Sequence, residues 1–158
     1  MLQNLQKRKQ EGFTIIEVLI VLAIAGLILL VVFLAVPALQ RNSRNTQRKN
    51  DAAAILGGIS EYTNNNGGQV PTSLTVSGND VTIAGGSGTN STTAKIGYFN
   101  SGTVTLATSV PSAPDNNTIV IVKGAVCNGN TPTLTGGSAR SYAAYFATEP
   151  SGTQCVSS

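Results

Sequence analysis

Between residues 13 and 36 the sequence FTIIEVLIVLAIAGLILLVVFLAV sets 24 apolar or small residues in a row, with Thr14 and Glu17 the only exceptions. A helix of that length spans about 36 Å, enough to cross a bilayer. Pro37 removes one backbone donor and clashes with the carbonyl four residues back, so a kink is expected there, and Gly26 is a second weak point. Helical spacing then resumes. Ala52, Ile55, Ile59 and Tyr62 recur at three- and four-residue steps with Leu56 beside them, which makes one apolar stripe. Gly57 and Gly58 weaken the last turn, and "TNNNGGQVP" (63–71) ends it. The pattern predicts one helix over residues 13–63, apolar all round in its first half and amphipathic in its second.

After residue 63 the period changes. Short β-branched and apolar runs predict strands near 74–76, 81–84, 96–99, 103–108, 118–126 and 140–147. Turn signals separate them: "SGND" (77–80), "GGSG" (85–88), "NSG" (100–102), "PSAPDNN" (111–117) and "NGNTP" (128–132). The amphipathic half of the helix has to bury its stripe, and the strands are its only partner in the sequence. The fold class expected is α+β, a long N-terminal helix packed on a small antiparallel sheet.

Composition changes this picture in two places. Charged residues are only 11% of the chain, and Gly, Ser, Thr and Asn crowd its second half. That balance resembles disorder, but recurring runs such as "TIVIV" (118–122) do not, so a loop-rich β domain is the better reading. The formal charge of +3 owes +2 to the first twelve residues, through Lys7, Arg8, Lys9 and Glu11, which leaves the remainder nearly neutral. The other basic cluster, Arg41, Arg44, Arg48 and Lys49, follows the apolar run and reads as a solvated helix stretch at the end of a membrane segment. Binding of anionic lipid or nucleic acid is the minor alternative.

Histidine is absent, which removes the commonest metal ligand and acid–base catalyst. The sequence GGSGT lacks the second glycine of G-x-S-x-G, the G-x-G-x-x-G from Gly86 fails at Ser91, and no G-x-x-x-x-G-K-[ST] occurs. Asp80, Asp115 and Glu149 lie far apart beside turns and read as solvated, with calcium ligation the lesser reading. Asn90 and Asn116 head N-x-T sequons, a sign of exposed loops. No enzyme, cofactor or metal site is expected. Cys127 and Cys155 are too few and too far apart for zinc. A disulfide between them is the reading adopted, worth roughly 3.5 kcal/mol in the chain-entropy model, with two free buried thiols the alternative. A disulfide places this half on the oxidising side of a membrane. That side also decides the topology, since the basic residues flanking the apolar run are nearly balanced. Ordinary signal-peptide cleavage fits poorly, because the run is long and "AVPALQ" (35–40) is a weak site.

Glu17 is the anomaly. A carboxylate at the centre of a membrane helix costs roughly 2.5 to 3.5 kcal/mol on insertion scales, so an anchor alone has no use for one. A lone acid that snorkels or is protonated near the interface is one reading. The other comes from its context: the basic leader "MLQNLQKRKQEG" (1–12) is followed at once by Phe13, and "GFTIIE" (12–17) strongly resembles the processing site of type IV prepilins. The resemblance covers residues 1–40, and a sheet closed by a late cysteine pair is a looser likeness to many pilins.

That resemblance implies cleavage after Gly12 by a prepilin peptidase, N-methylation of Phe13, and a role for Glu17 in assembly. It divides the chain into a leader (1–12), a long helix (13–63) whose residues 13–36 form the membrane and filament-core part, and a β-rich head (64–158). Cleavage turns the nitrogen of Phe13 into a cation about 6 Å along the axis from Glu17. In a bundle of subunits Glu17 can then pair with the amine of a neighbour's Phe13 or its own, which sets register. The family's helices can unwind between a glycine and a later proline, the places of Gly26 and Pro37, although Pro37 falls a few residues late.

The function implied is a structural subunit of a type IV pilus: a membrane protein before assembly, then part of a homo-oligomeric fibre on the cell surface. The implied partners are the peptidase and methyltransferase, the assembly platform in the inner membrane, and copies of the chain, with no small-molecule substrate. A pseudopilin of a secretion system is the runner-up, though "TEPSGTQCVSS" (148–158) lacks the acidic calcium loop often found in major pseudopilins. A minor pilin for adhesion or DNA uptake has only the Arg41–Lys49 cluster in its favour, and that cluster lies too near the filament core to capture nucleic acid. An enzyme on a signal anchor comes last.

Overall fold

A computed structural model describes residues 12–158. The leader assigned from sequence to residues 1–12 lies outside them except for Gly12. Helix α1 runs Ile15–Asn65, two residues later at each end than its pattern predicts, and it spans both Gly26 and Pro37 without ending. It is followed by β1 (Ser73–Ser77), β2 (Asp80–Ala84), β3 (Thr92–Lys95), a 3-10 turn at Phe99–Ser101, β4 (Thr103–Ala107), β5 (Thr118–Lys123), β6 (Val126–Asn128), β7 (Thr131–Thr133), β8 (Tyr142–Thr148) and β9 (Gly152–Ser157). The layout is α+β. The chain divides into two compact units after Leu39.

In the first unit α1 has no apolar partner among the described residues. Its Leu, Ile, Val and Phe side chains are exposed on every side, and the helix is long and apolar enough to cross a membrane. In the second unit α1 buries Ala52, Ile55, Leu56, Ile59 and Tyr62 against Val81 and Ile83 of β2, Ile119 and Ile121 of β5, and Phe146 of β8. Each fully buried residue of this size contributes about 1.5–3 kcal/mol. Gly58, a weak point by propensity, lies where the helix meets β2 and β3. A Cβ there would sit 3.2 Å from that of Ala94 and closer still to Ile83. Close packing outweighs the helical cost of glycine.

The strands form three sheets, ordered β1-β2-β3, β4-β5-β8-β9 and β6-β7. The expected antiparallel sheet is in fact mixed, because β4 and β5 run parallel with Thr103 opposite Thr118. The strand expected at 96–99 is displaced: β3 ends at Lys95, and the chain turns through Gly97 and Tyr98 into the 3-10 turn. The run 118–126 is two strands, parted at Gly124, whose φ of +75° suits glycine. Strand β5 is buried on both faces. Ile119 and Ile121 meet the helix, while Val120 and Val122 join Ala125 and Ala143 in a second cluster flanked by Cys127 and Cys155. Cys127 and Cys155 are bonded to each other, Cα–Cα 5.6 Å, tying the β6–β7 hairpin to β9. Only Val126 of the β6–β7 hairpin falls in an expected run, and β7 and β9 have no counterpart in the strand pattern, since β7 is three residues long and β9 is mostly polar.

Candidate functional site

Two groups of residues carry the chemistry, one in each unit. The first opens α1. Thr14 precedes the helix and Glu17 lies in its first turn, the spacing of a capping box. The Thr14 backbone N–H donates to Glu17 Oε2 at 2.8 Å and its hydroxyl donates to the same oxygen at 2.7 Å. In return the Glu17 N–H donates to Thr14 Oγ1 at 3.4 Å. Amide donors orphaned at a helix start are thereby satisfied. Both side-chain bonds use one carboxylate oxygen, and Oε1 accepts none among the described residues. Phe13, 88% exposed, stands immediately before the cap, and a Cβ on Gly12 would meet nothing within 4 Å. Residues 12–14 are therefore exposed, and the acid is fixed to its own helix start through half of its carboxylate.

The second group overturns the reading of the basic cluster as solvated at Arg48 and in part at Arg44, while Arg41 and Lys49 are exposed as expected. Arg48 is fully buried and Asp51 is 5% exposed. Arg44, Arg48 and Asp51 follow i, i+4, i+7 spacing and continue the face that Ile55, Ile59 and Tyr62 turn to the core. Arg48 donates through Nη1 to the Ala147 carbonyl at 3.0 Å, and through Nη2 to Glu149 Oε1 at 3.0 Å and to the Tyr98 hydroxyl. Its guanidinium carbon lies 4.4 Å from the centre of the Tyr98 ring. Asp51 accepts from three successive backbone amides, Gly97 at 2.8 Å, Tyr98 at 2.7 Å and Phe99 at 3.0 Å. That carboxylate holds the loop which displaced the expected strand.

Glu149, read from sequence as a solvated turn residue, is the counter-charge. Arg44 grips it with two parallel bonds, Nε to Oε1 at 2.8 Å and Nη2 to Oε2 at 2.5 Å. Asn45 donates to the Glu149 carbonyl and accepts from its N–H, both at 2.9 Å. The Arg44 bond holds the Glu149 carboxyl below the usual carboxylate range, and the same bond raises Arg44. Asp115 does lie exposed in its turn, accepting from the Asn117 N–H at 3.0 Å, whereas Asp80 pairs with Lys95 at 2.6 Å.

Tyr142, whose hydroxyl is buried without a partner among the described residues, is pushed up to about 12 by burial and stays neutral. Among the described residues no cluster of three or more His, Cys, Asp or Glu could hold a metal. Sequence reasoning had missed the capping box, although "TIIE" just ahead of an apolar run is its signature. It also missed Asp51 and Asn45. The heptad-like spacing of 44, 48, 51 and 55 was the available signal, and it was hidden because charged residues were taken to mark a wet face.

Residues 7–33 match the family described as the prokaryotic N-terminal methylation motif. This is the class III signal peptide of type IV pilins, and here it sits on a long apolar helix. The motif supports a precursor of the type IV pilin or pseudopilin kind and implies processing by a prepilin peptidase, and the exposed apolar helix fits a membrane anchor. No curated protein and no solved structure matches the chain.

Proposed function

We propose that the chain is a structural subunit of a type IV pilus, cut after Gly12, methylated on Phe13 and assembled into a fibre through residues 13–36. The observation that carries this reading is the start of α1, where an apolar helix exposed all round holds one carboxylate with one oxygen still free. Cleavage would create a cation at Phe13. In lipid or among apolar helices, a subunit seated at the wrong height leaves that oxygen unpaired, at a desolvation cost of several kcal/mol. Thr14 fixes one oxygen and so aims the other. On this account Glu17 closes its own helix start and sets the register of its neighbours.

The division into leader (1–12), helix (13–63) and head (64–158) follows from the same reading, with the assembly platform and other copies of the chain as partners. The sheets and the Cys127–Cys155 bridge belong to a head that would form the outer surface of the fibre on the cell exterior. Support for a pilus over a secretion pseudopilus comes from the C-terminal segment. Where a major pseudopilin often carries an acidic calcium loop, this chain has strand β9, paired with β8 and bonded through Cys155.

The test is Glu17→Val. Expected is a chain that is still cleaved and still inserted in the membrane, with the yield of sheared surface fibres severely reduced. Fibres at the unaltered yield would remove the amine–carboxylate account.

A further inference from the structure

The second half of α1 buries one face and leaves the other bare. Two charges stand on the bare face, Lys49 and Glu61, both exposed and neither in an ion pair or side-chain hydrogen bond with any described residue. Of the other helix charges nearby, Arg44 and Arg48 bind Glu149 and Asp51 binds the 97–99 amides; Arg41, exposed and without an ion pair among the described residues, falls about five turns before Ile59, on the side of the buried stripe and not on the bare face. Twelve residues separate Lys49 from Glu61, about 18 Å along the axis and about 120° around it. They cannot reach each other within one chain.

Copies anchored through the same apolar helix in one membrane run parallel. Set side by side with one copy shifted outward by about 18 Å, two such helices bring Lys49 of the outer copy beside Glu61 of the inner. The base and the acid lie on different sides of the helix, so the contact is heterologous. Each copy offers its acid to one neighbour and its base to another, and the series does not close on itself. The sense matches the Glu17 pair, in which the acid also lies C-terminal to the cation it meets. Thr46, Ala53, Gly57 and Ser60 on the same face are short, which leaves room for a second helix without selecting one.

We infer that Lys49 and Glu61 pair between neighbouring copies, and that this face of α1 docks a second copy of the chain. The inference rests on the reading of the chain as a filament subunit. The test uses the full-length chain in cells, with sheared fibre measured against processed chain in the membrane. Lys49→Glu and Glu61→Lys should each lower fibre yield about tenfold or more, since each sets like charges face to face. The double variant should recover most of the loss. Zero-length carbodiimide coupling of unaltered fibres should join the Lys49 peptide of one chain to the Glu61 peptide of another.

Single variants that assemble normally, or a double variant as poor as the singles, would overturn the pairing. A Lys49–Glu61 crosslink found only in detergent-soluble dimers, never in fibres, would assign the face to an antiparallel pair and overturn it too. Unaltered chain that yields processed protein but no fibre would remove both this inference and the filament reading. Normal fibres from either single variant would remove this inference alone.

Discussion

From Ile15 to Leu39 the helix is built largely of Leu, Ile, Val and Ala, and its large apolar side chains are all exposed. From Gln40 to Asn65 it carries Arg48 and Asp51, and both are buried. The apolar residues of the first half, and Arg48 and Asp51 in the second, sit in the opposite surroundings to those their polarity favours in water. The physical reason differs between them. The charged half makes its own surroundings: Glu149, Asn45, Tyr98 and three backbone amides satisfy the ions within one chain. The apolar half has no partner of its own and needs lipid or other apolar helices. The core of the second half is complete within the chain, whereas the first half depends for its burial on what lies outside the molecule.

The sharpest way to break this comparison is to remove the ion the chain has buried. Arg48→Ala should destabilise the head by about 3–5 kcal/mol, because Tyr98 and the Ala147 carbonyl lose their donor and Glu149 keeps only Arg44. Chemical unfolding of the detergent-solubilised chain measures it. A change below about 0.5 kcal/mol, the range of an ordinary surface substitution, would mean that this half is solvated after all. Gly58→Val should cost less, about 1–3 kcal/mol of overpacking against Ile83 and Ala94. It should raise helix propensity while lowering head stability, which separates packing from propensity.

Acid should act more weakly still. The folded-state pKa of Glu149 is depressed, mainly by its bond from Arg44. Its contribution is therefore complete above the ordinary carboxylate value and is lost as pH falls through the depressed one. Head melting temperature should drop at acid pH, and Glu149→Gln should flatten that part of the profile. An identical profile in the variant would show that the carboxylate does not titrate against folding.

Much of the architecture was legible in advance, for reasons that also explain the misses. The apolar run and the stripe Ala52, Ile55, Ile59 and Tyr62 are periodic over many residues, so the helix and its buried face stood out. Strands β2, β4, β5 and β8 were visible through their β-branched or aromatic content. Strand β9 was not, because Thr153, Gln154 and Ser157 carry no such signal and the strand exists by pairing with β8. The parallel turn of β4 against β5 is likewise a tertiary outcome. At the helix start Glu17 was noticed for its charge, and its bonds to Thr14 went unread. At residues 44–51 charge was equated with solvent. Burial of an ion depends on a partner 100 residues away, and Glu149 gives no local sign of being one.

The central claim is that residues 13–36 are an assembly helix freed by cleavage after Gly12, and the mass of the chain's N-terminal peptide in material sheared from the cell surface tests it most directly. The account predicts an abundant peptide that begins at methylated Phe13. A sheared fraction whose chains begin at Met1, or after Ala38, would contradict it and leave residues 13–36 as an anchor or an export signal.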